Sequence, residues 1–184
     1  MNTGLISSRY ALALYEFAQQ QNAEDRVYDE AKLLAKSFVK FNDLRPVLDN
    51  PVLGKTQKKQ IILLAMSNAV DAVFDKFLDL VLEKNRETQI QTITLKYIDL
   101  YRKRKNIYPA KLTIASDVDE LTEKRLVAVV EKETHGTLEI EKFVDPAILG
   151  GFVLEVNNVR WDASVAGQLD KIKKNFMEQN IKTG

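Results

Sequence analysis

Gly54-Lys55-Thr56 is the first place where residue type and spacing suggest chemistry, because a Gly-Lys-Thr ending is how a phosphate-cradling loop meets its helix. Such a loop needs a second glycine five positions before Gly54, and Asp49 stands there. A carboxylate repels the phosphates the loop would hold, no strand pattern precedes it, and Pro51 interrupts it. The stretch reads as a helix N-terminus with Thr56 as the cap. Gly150-Gly151 lacks G-x-G-x-x-G spacing and leads into strand-patterned residues where a dinucleotide site needs a helix, so it reads as a bulged strand start. The run Arg102-Lys103-Arg104-Lys105 could touch phosphates. Such a run more often closes a helix C-terminus, where cations meet the negative end of the dipole, and that reading is favoured here, since only Tyr101 and Tyr108 lie near it for base stacking. The single histidine, His135, precedes Gly136 at an expected helix end. No Ser-His-Asp order or carboxylate pair stands out. The absence of cysteine excludes disulfides and thiolate metal sites. The expectation is no catalytic residue, no metal site and no cofactor.

Composition narrows the classes further. With 27 basic and 26 acidic side chains the net charge is +1, which leaves no global field to gather nucleic acid or an anionic membrane. The longest apolar run, Ile61 to Met66, is far shorter than the ~20 residues of a membrane span. The N-terminus shows neither a basic stretch leading into an apolar one nor an Arg- and Ser-rich leader, so a cytosolic, bacterial protein is expected.

The elements that would position any binding surface fall into two sets. Up to about residue 105 the pattern is helical. Tyr10, Leu14 and Phe17 share a face in the first helix. Val27, Ala31, Leu34, Phe38 and Phe41 form a bundle-type seam in the second. Pro46 and Asn50-Pro51 bracket a short third helix. Residues 57–67, 72–84 and 88–105 make the fourth to sixth, the last with Ile90, Ile93, Tyr97 and Leu100 inward. Short connections favour an antiparallel bundle. From Asn106 the period changes. Leu112 and Ile114 alternate as in a strand, residues 121–135 are helical, and Leu138 and Ile140 begin a second strand. Phe152, Leu154 and Val156 alternate in a third, Asn157-Asn158 makes a tight turn, and Val159 to Trp161 returns with Trp161 in the core. Asp162 or Ser164 caps a last helix with Val165, Leu169, Ile172 and Phe176 on one face. The fold class expected is mainly α: a six-helix antiparallel bundle over residues 1–105, then a small α+β domain over 106–184.

Two helices carry more apolar surface than a core needs. Apolar residues cover about 260° of the first helix, leaving Arg9 and Glu16 as its polar side, and about 200° of the fifth, against the ~100° stripe of a surface helix. Either both are central in the bundle, or each packs with one side and offers the other to a partner helix.

The ordered run Val144, Asp145, Gly150, Gly151, Asp162, Ser164, Val165, Gly167 and Leu169 resembles the C-terminal signature of the F-type ATP synthase δ subunit, called OSCP in mitochondria. RYALALYEFA, from Arg9 to Ala18, is similar to that family's first helix, and FLDLVLEKNR, from Phe77 to Arg86, to a second family segment. Trp161 stands where a smaller aliphatic is usual, and Ala166 precedes Gly167 where an arginine is common. The resemblance implies a non-catalytic stator subunit, one copy per complex, that links the α3β3 head to the b-type peripheral stalk so that proton-driven rotor torque is coupled to ATP synthesis. It implies that the bundle holds the N-terminal helix of an α subunit between its first and fifth helices, at Tyr10, Ala13, Leu14, Phe17, Phe77, Leu80 and Lys84. It implies that the C-terminal domain, with Gly150, Gly151, Asp162, Ser164, Gly167 and Leu169, binds the stalk. The implied location is the cytoplasmic face of a bacterial inner membrane, touching the membrane only through the F1Fo complex. The alternative is a nucleic-acid-binding helical adaptor using residues 102–105 and 55–59.

Overall fold

The computed structural model describes residues 3–67, 70–115, 136–157 and 159–182. The helix expected over 121–135, with His135, lies outside the described residues, as does Asn158 of the expected turn. The chain is mainly helical with a small four-stranded sheet, and divides into two compact units, Met1–Lys105 and Asn106–Gly184.

The first unit carries α1 (Thr3–Gln20), α2 (Glu24–Lys40), α3 (Leu44–Asp49), α4 (Lys55–Ala65), α5 (Ala72–Glu83), a single 3-10 turn at Glu87–Gln89, and α6 (Ile90–Lys105). α6 is the element on which α1 and α2 pack, so its Ile90, Ile93 and Tyr97 are fully buried with Leu14, Leu34, Phe74 and Leu78. Four of the five seam residues of α2 are buried. Phe41 is instead the C-cap and lies 45% exposed, because the helix stops one residue before the seam's last position. α4 begins earlier than expected. Gly54 is its N-cap, with Gln57 Oε1 accepting the Gly54 amide at 3.0 Å, and Thr56 is an exposed first-turn residue, not the cap. α6 begins later, since residues 87–89 tighten into the 3-10 turn.

Among the described residues three helices are followed by asparagine at positive φ, where glycine is usual, the third being α6 with Asn106 at 53°. Asn22 and Asn85 take φ of 50° and 53°. The amide after each reaches back five residues, Ala23 to the Ala18 carbonyl and Arg86 to the Val81 carbonyl, both at 2.9 Å. This is the Schellman closure, which needs the left-handed region that asparagine tolerates.

The second unit holds β1 (Ile107–Ile114), β2 (Thr137–Val144), a 3-10 turn at Pro146–Ile148, β3 (Phe152–Val156), β4 (Val159–Asp162) and α7 (Val165–Lys182). The sheet order is β2-β1-β3-β4, with β1 parallel to β2 and the other pairs antiparallel. Ala110 pairs with Val156 and Leu112 with Leu154, so one face gathers Ala110, Leu112, Ile114, Leu138, Leu154 and Val156 into a core. Trp161 lies opposite Leu154 but is 42% exposed. It sits on β4, which is the edge strand among the described residues, so it is not the core residue expected.

Candidate interaction surfaces

The residues singled out on the first and fifth helices are brought together in part. α1 and α5 pack side by side, and the Tyr10 ring meets Phe77 edge-on, with centroids 6.5 Å apart and planes at 70°. Ser7, Ala11, Leu14 and Ala18 turn one side of α1 into the core. Leu14, at 1% exposure, therefore supports the helix from behind and does not line its outer surface. Ala13 lies three residues after Tyr10 and four before Phe17, on their face, and is exposed, while Tyr10 and Phe17 are half-buried. On α5, Phe77 is buried at the seam, Leu80 is 41% exposed and Lys84 is exposed at the C-cap. Tyr10 and Phe77 thus meet at the seam of the two helices, with Ala13 exposed on α1 and Leu80 and Lys84 exposed on α5, the candidate lining of a groove between them. α1 is not a helix buried on all sides, because Leu5, Leu12 and Ala13 face outward.

The second set of residues sorts into a junction and a stripe. Asp162 Oδ1 accepts hydrogen bonds from the Ser164 amide at 3.0 Å and the Ser164 hydroxyl at 2.5 Å. Ser164 Oγ in turn accepts the Gly167 amide at 3.0 Å, the N-cap bond of α7. The Ser164 hydrogen bonds, aided by Arg160 at 3.1 Å, hold the Asp162 carboxyl below its ordinary value. Gly167 is glycine because a Cβ there would lie 2.7 Å from Asp162 Oδ1 and 3.0 Å from Ser164 Oγ. Gly151 has φ 72°, and a Cβ would strike the Ala163 carbonyl oxygen. The Gly150 carbonyl accepts the Val165 amide at 3.0 Å, and the Phe152 carbonyl accepts that of Ala163 at 3.0 Å. Gly150, Gly151, Asp162, Ser164 and Gly167 therefore lock the start of β3, the end of β4 and the first turn of α7 together. Upstream, Asp145 does the same for the turn at Pro146–Ile148, with Oδ1 accepting the Ala147 amide at 2.9 Å.

Leu169 belongs elsewhere. With Val165, Ile172 and Phe176 it forms a stripe on α7 that is 42% to 63% exposed at every position. That exposed apolar stripe makes α7 a candidate interaction surface.

The charged runs are absorbed by the fold. Arg102 Nε donates to the Tyr28 hydroxyl at 2.9 Å, Arg104 lies 6.0 Å over the Tyr15 ring, and Lys105 meets Glu24 and Asp25 at 3.3 and 3.2 Å. Tyr28 and Tyr101 stack 4.0 Å apart beside them, and Tyr101 donates to Asp25 at 2.6 Å. The hydroxyl of Tyr101 and the ammonium of Lys105 lower the Asp25 carboxyl. The cluster ties α6 to α2 and, through Arg104, to α1, and Lys103 is exposed. In the loop that resembled a phosphate cradle, Lys55 Nζ donates to the Glu83 carbonyl at 3.0 Å and closes the C-terminal end of α5. Three residues on, Lys58 is buried and ion-paired with Glu87 at 2.6 Å, a contact that sequence reasoning did not identify. Its only signal was an apolar spacing: Lys58 stands one helical turn before the fully buried Ile62.

A family model described as ATP synthase delta (OSCP) subunit matches residues 6–176. The chain is similar to the ATP synthase subunit delta of Phocaeicola vulgatus, 44% identical over 181 residues that cover 98% of each chain. It is also similar to the protein of that name from Synechococcus elongatus, 33% identical over 93% of this chain and 96% of the relative. Among solved structures, the Toxoplasma gondii mitochondrial ATP synthase hexamer contains a chain of like fold, with a TM-score of 0.61 and 18% identity over 93% of this chain and 97% of that one.

Proposed function

The chain belongs to the ATP synthase delta (OSCP) subunit family, and from that premise we propose that its two units are the two grips of a stator. It is the delta-type subunit of an F-type ATP synthase, a structural subunit of that complex. The first unit, read as a six-helix antiparallel bundle, holds the N-terminal helix of an α subunit in the groove between α1 and α5. The second unit holds the C-terminal end of the b-type stalk along α7. One copy joins the α3β3 head to the stalk on the cytoplasmic face of a bacterial inner membrane. The coupling is mechanical: both contacts must stay closed under rotor torque for the head to remain still. The chain supplies no catalytic residue.

The observation that carries this reading is the pair of exposed apolar surfaces, one on each compact unit: Ala13 and Leu80 along the groove, and the Val165–Phe176 stripe of α7. A reciprocal test separates them. Ala13→Asp places a carboxylate in the groove contact, and desolvating an unpaired charge is expensive. Binding of a peptide from the α-subunit N-terminus should weaken by ~3 kcal/mol, about a hundredfold, with stalk binding and the melting curve unchanged. Leu169→Asp should do the reverse. Loss of α-peptide binding by Leu169→Asp, or none by Ala13→Asp, would show that the division of labour is wrong.

A further inference from the structure

The two edges of the α1–α5 groove differ in charge. Lys76, Leu80 and Lys84 recur every four residues, so they share one stripe of α5, the one beside Phe77 that opens on the groove. Of the carboxylates of the same helix, Asp75 and Asp79 turn away, while Glu83 stays beside Lys84. Asp75 and Asp79 share Lys59 of α4, at 2.8 and 2.7 Å, on the far edge of the helix. Among the described residues Lys84 pairs with its chain neighbour Glu83, at 3.5 Å, with both side chains more than half exposed. Across the groove, Arg9 and Glu16 lie on the outer face of α1 and offset each other. The α5 wall therefore carries two lysines against one carboxylate, Glu83, around an apolar centre at Leu80, a local excess of positive charge in a chain whose net charge is only +1.

Resting on the reading that an α-subunit helix fills this groove, we infer that the occupant has an anionic edge. Lys76 and Lys84 stand eight residues apart, about 12 Å along the helix. The occupant lays carboxylates at that spacing along the α5 wall while its apolar face covers Leu80, Tyr10 and Ala13. An apolar centre with charges at the rim is the usual anatomy of an interface. Exposed rim charges act chiefly on encounter and on partner choice. A helix with a basic edge meets like charge at both lysines and is rejected.

The test titrates a labelled peptide from the α-subunit N-terminus of the same enzyme into the full-length chain, read by fluorescence anisotropy. Raising NaCl from about 50 to about 500 mM should weaken wild-type binding several-fold, since exposed pairs are screened. Lys76→Glu with Lys84→Glu should weaken it about tenfold at the lower salt, and added salt should then partly restore it. Both residues are exposed, so the melting curve should not move. A peptide with its acidic side chains replaced by amides should bind wild type and double variant alike. If the double variant binds the native peptide as wild type does, the inference is overturned and the groove reading stands. If wild type binds no peptide, the groove reading fails, and the inference with it.

Discussion

Lys58→Met will destabilise the first unit by about 3–5 kcal/mol, the usual consequence of removing one partner from a buried ion pair. Lys58 is 3% exposed, and its ammonium lies 2.6 Å from Glu87 Oε1. Glu87 is itself mostly buried, and among the described residues nothing bonds its Oε2. Methionine fills the space of the lysine stem but leaves the carboxylate with no cation, and α4 loses its tie to the turn at Glu87–Gln89. Urea titration followed by far-UV circular dichroism should show the early loss. The double variant Lys58→Met/Glu87→Leu should recover most of it, because an apolar pair of similar volume is often neutral. A single variant within 1 kcal/mol of wild type would show that the pair is dispensable.

The same pair sets an acid limit. Burial opposes the Glu87 charge, but the hydrogen bond and charge of Lys58 outweigh it and lower the carboxyl below the ordinary 4.5. The stabilisation is therefore complete above the unfolded value and is lost as pH falls through the lower folded one. Wild type should lose stability steeply below about pH 4, and the double variant less so.

Gly151→Ala will destabilise the second unit by about 3–4 kcal/mol, through a clash as well as a conformational penalty. At φ 72° a side chain costs free energy by itself, and its Cβ would strike the Ala163 carbonyl oxygen. That carbonyl belongs to the segment between β4 and α7, so relief of the clash displaces the Asp162–Ser164 cap. Trp161, the only tryptophan, sits next to this cap and reports its unfolding by fluorescence. Gly151→Asn distinguishes the causes. Asparagine tolerates positive φ but keeps the Cβ, so it should be nearly as damaging as alanine. Wild-type stability in Gly151→Asn would leave backbone conformation as the sole cause, and wild-type stability in both would remove the argument.

Periodicity revealed which residues share a face and was silent on what covers that face. Val27, Ala31, Leu34 and Phe38 were legible as a seam because a buried helix stripe has one spacing. Val165, Leu169, Ile172 and Phe176 have the same kind of spacing, yet their stripe is exposed. Leu14 was grouped with Tyr10 and Phe17 on the wheel, but its 40° offset from Tyr10 turns it into the core. Lys58 stood out only within residues 55–59, the basic stretch of the nucleic-acid alternative, since sequence alone cannot show a buried charge whose partner lies 29 residues away. The glycines of the C-terminal signature were located by resemblance. Their reason, crowding by Ala163, Asp162 and Ser164, needed coordinates. Trp161 misled because size and apolarity say nothing of a strand's place at a sheet edge.

The strand order places β1 inside the sheet although it is the first of the four to be made. Synthesis therefore releases β1 from the ribosome with both hydrogen-bonding edges open. Its parallel neighbour begins only at Thr137, and its antiparallel neighbour is not complete until Val156. At roughly 5–20 residues per second, the nascent chain spends some seconds in that state. Helices form in microseconds, so residues up to Lys105 can collapse on their own contacts during the wait. Ala110, Leu112 and Ile114 cannot, and they are the stretch that a neighbouring nascent chain could pair with. The hazard in making this protein is thus one of timing, set by how quickly translation runs from Ile114 to Val156.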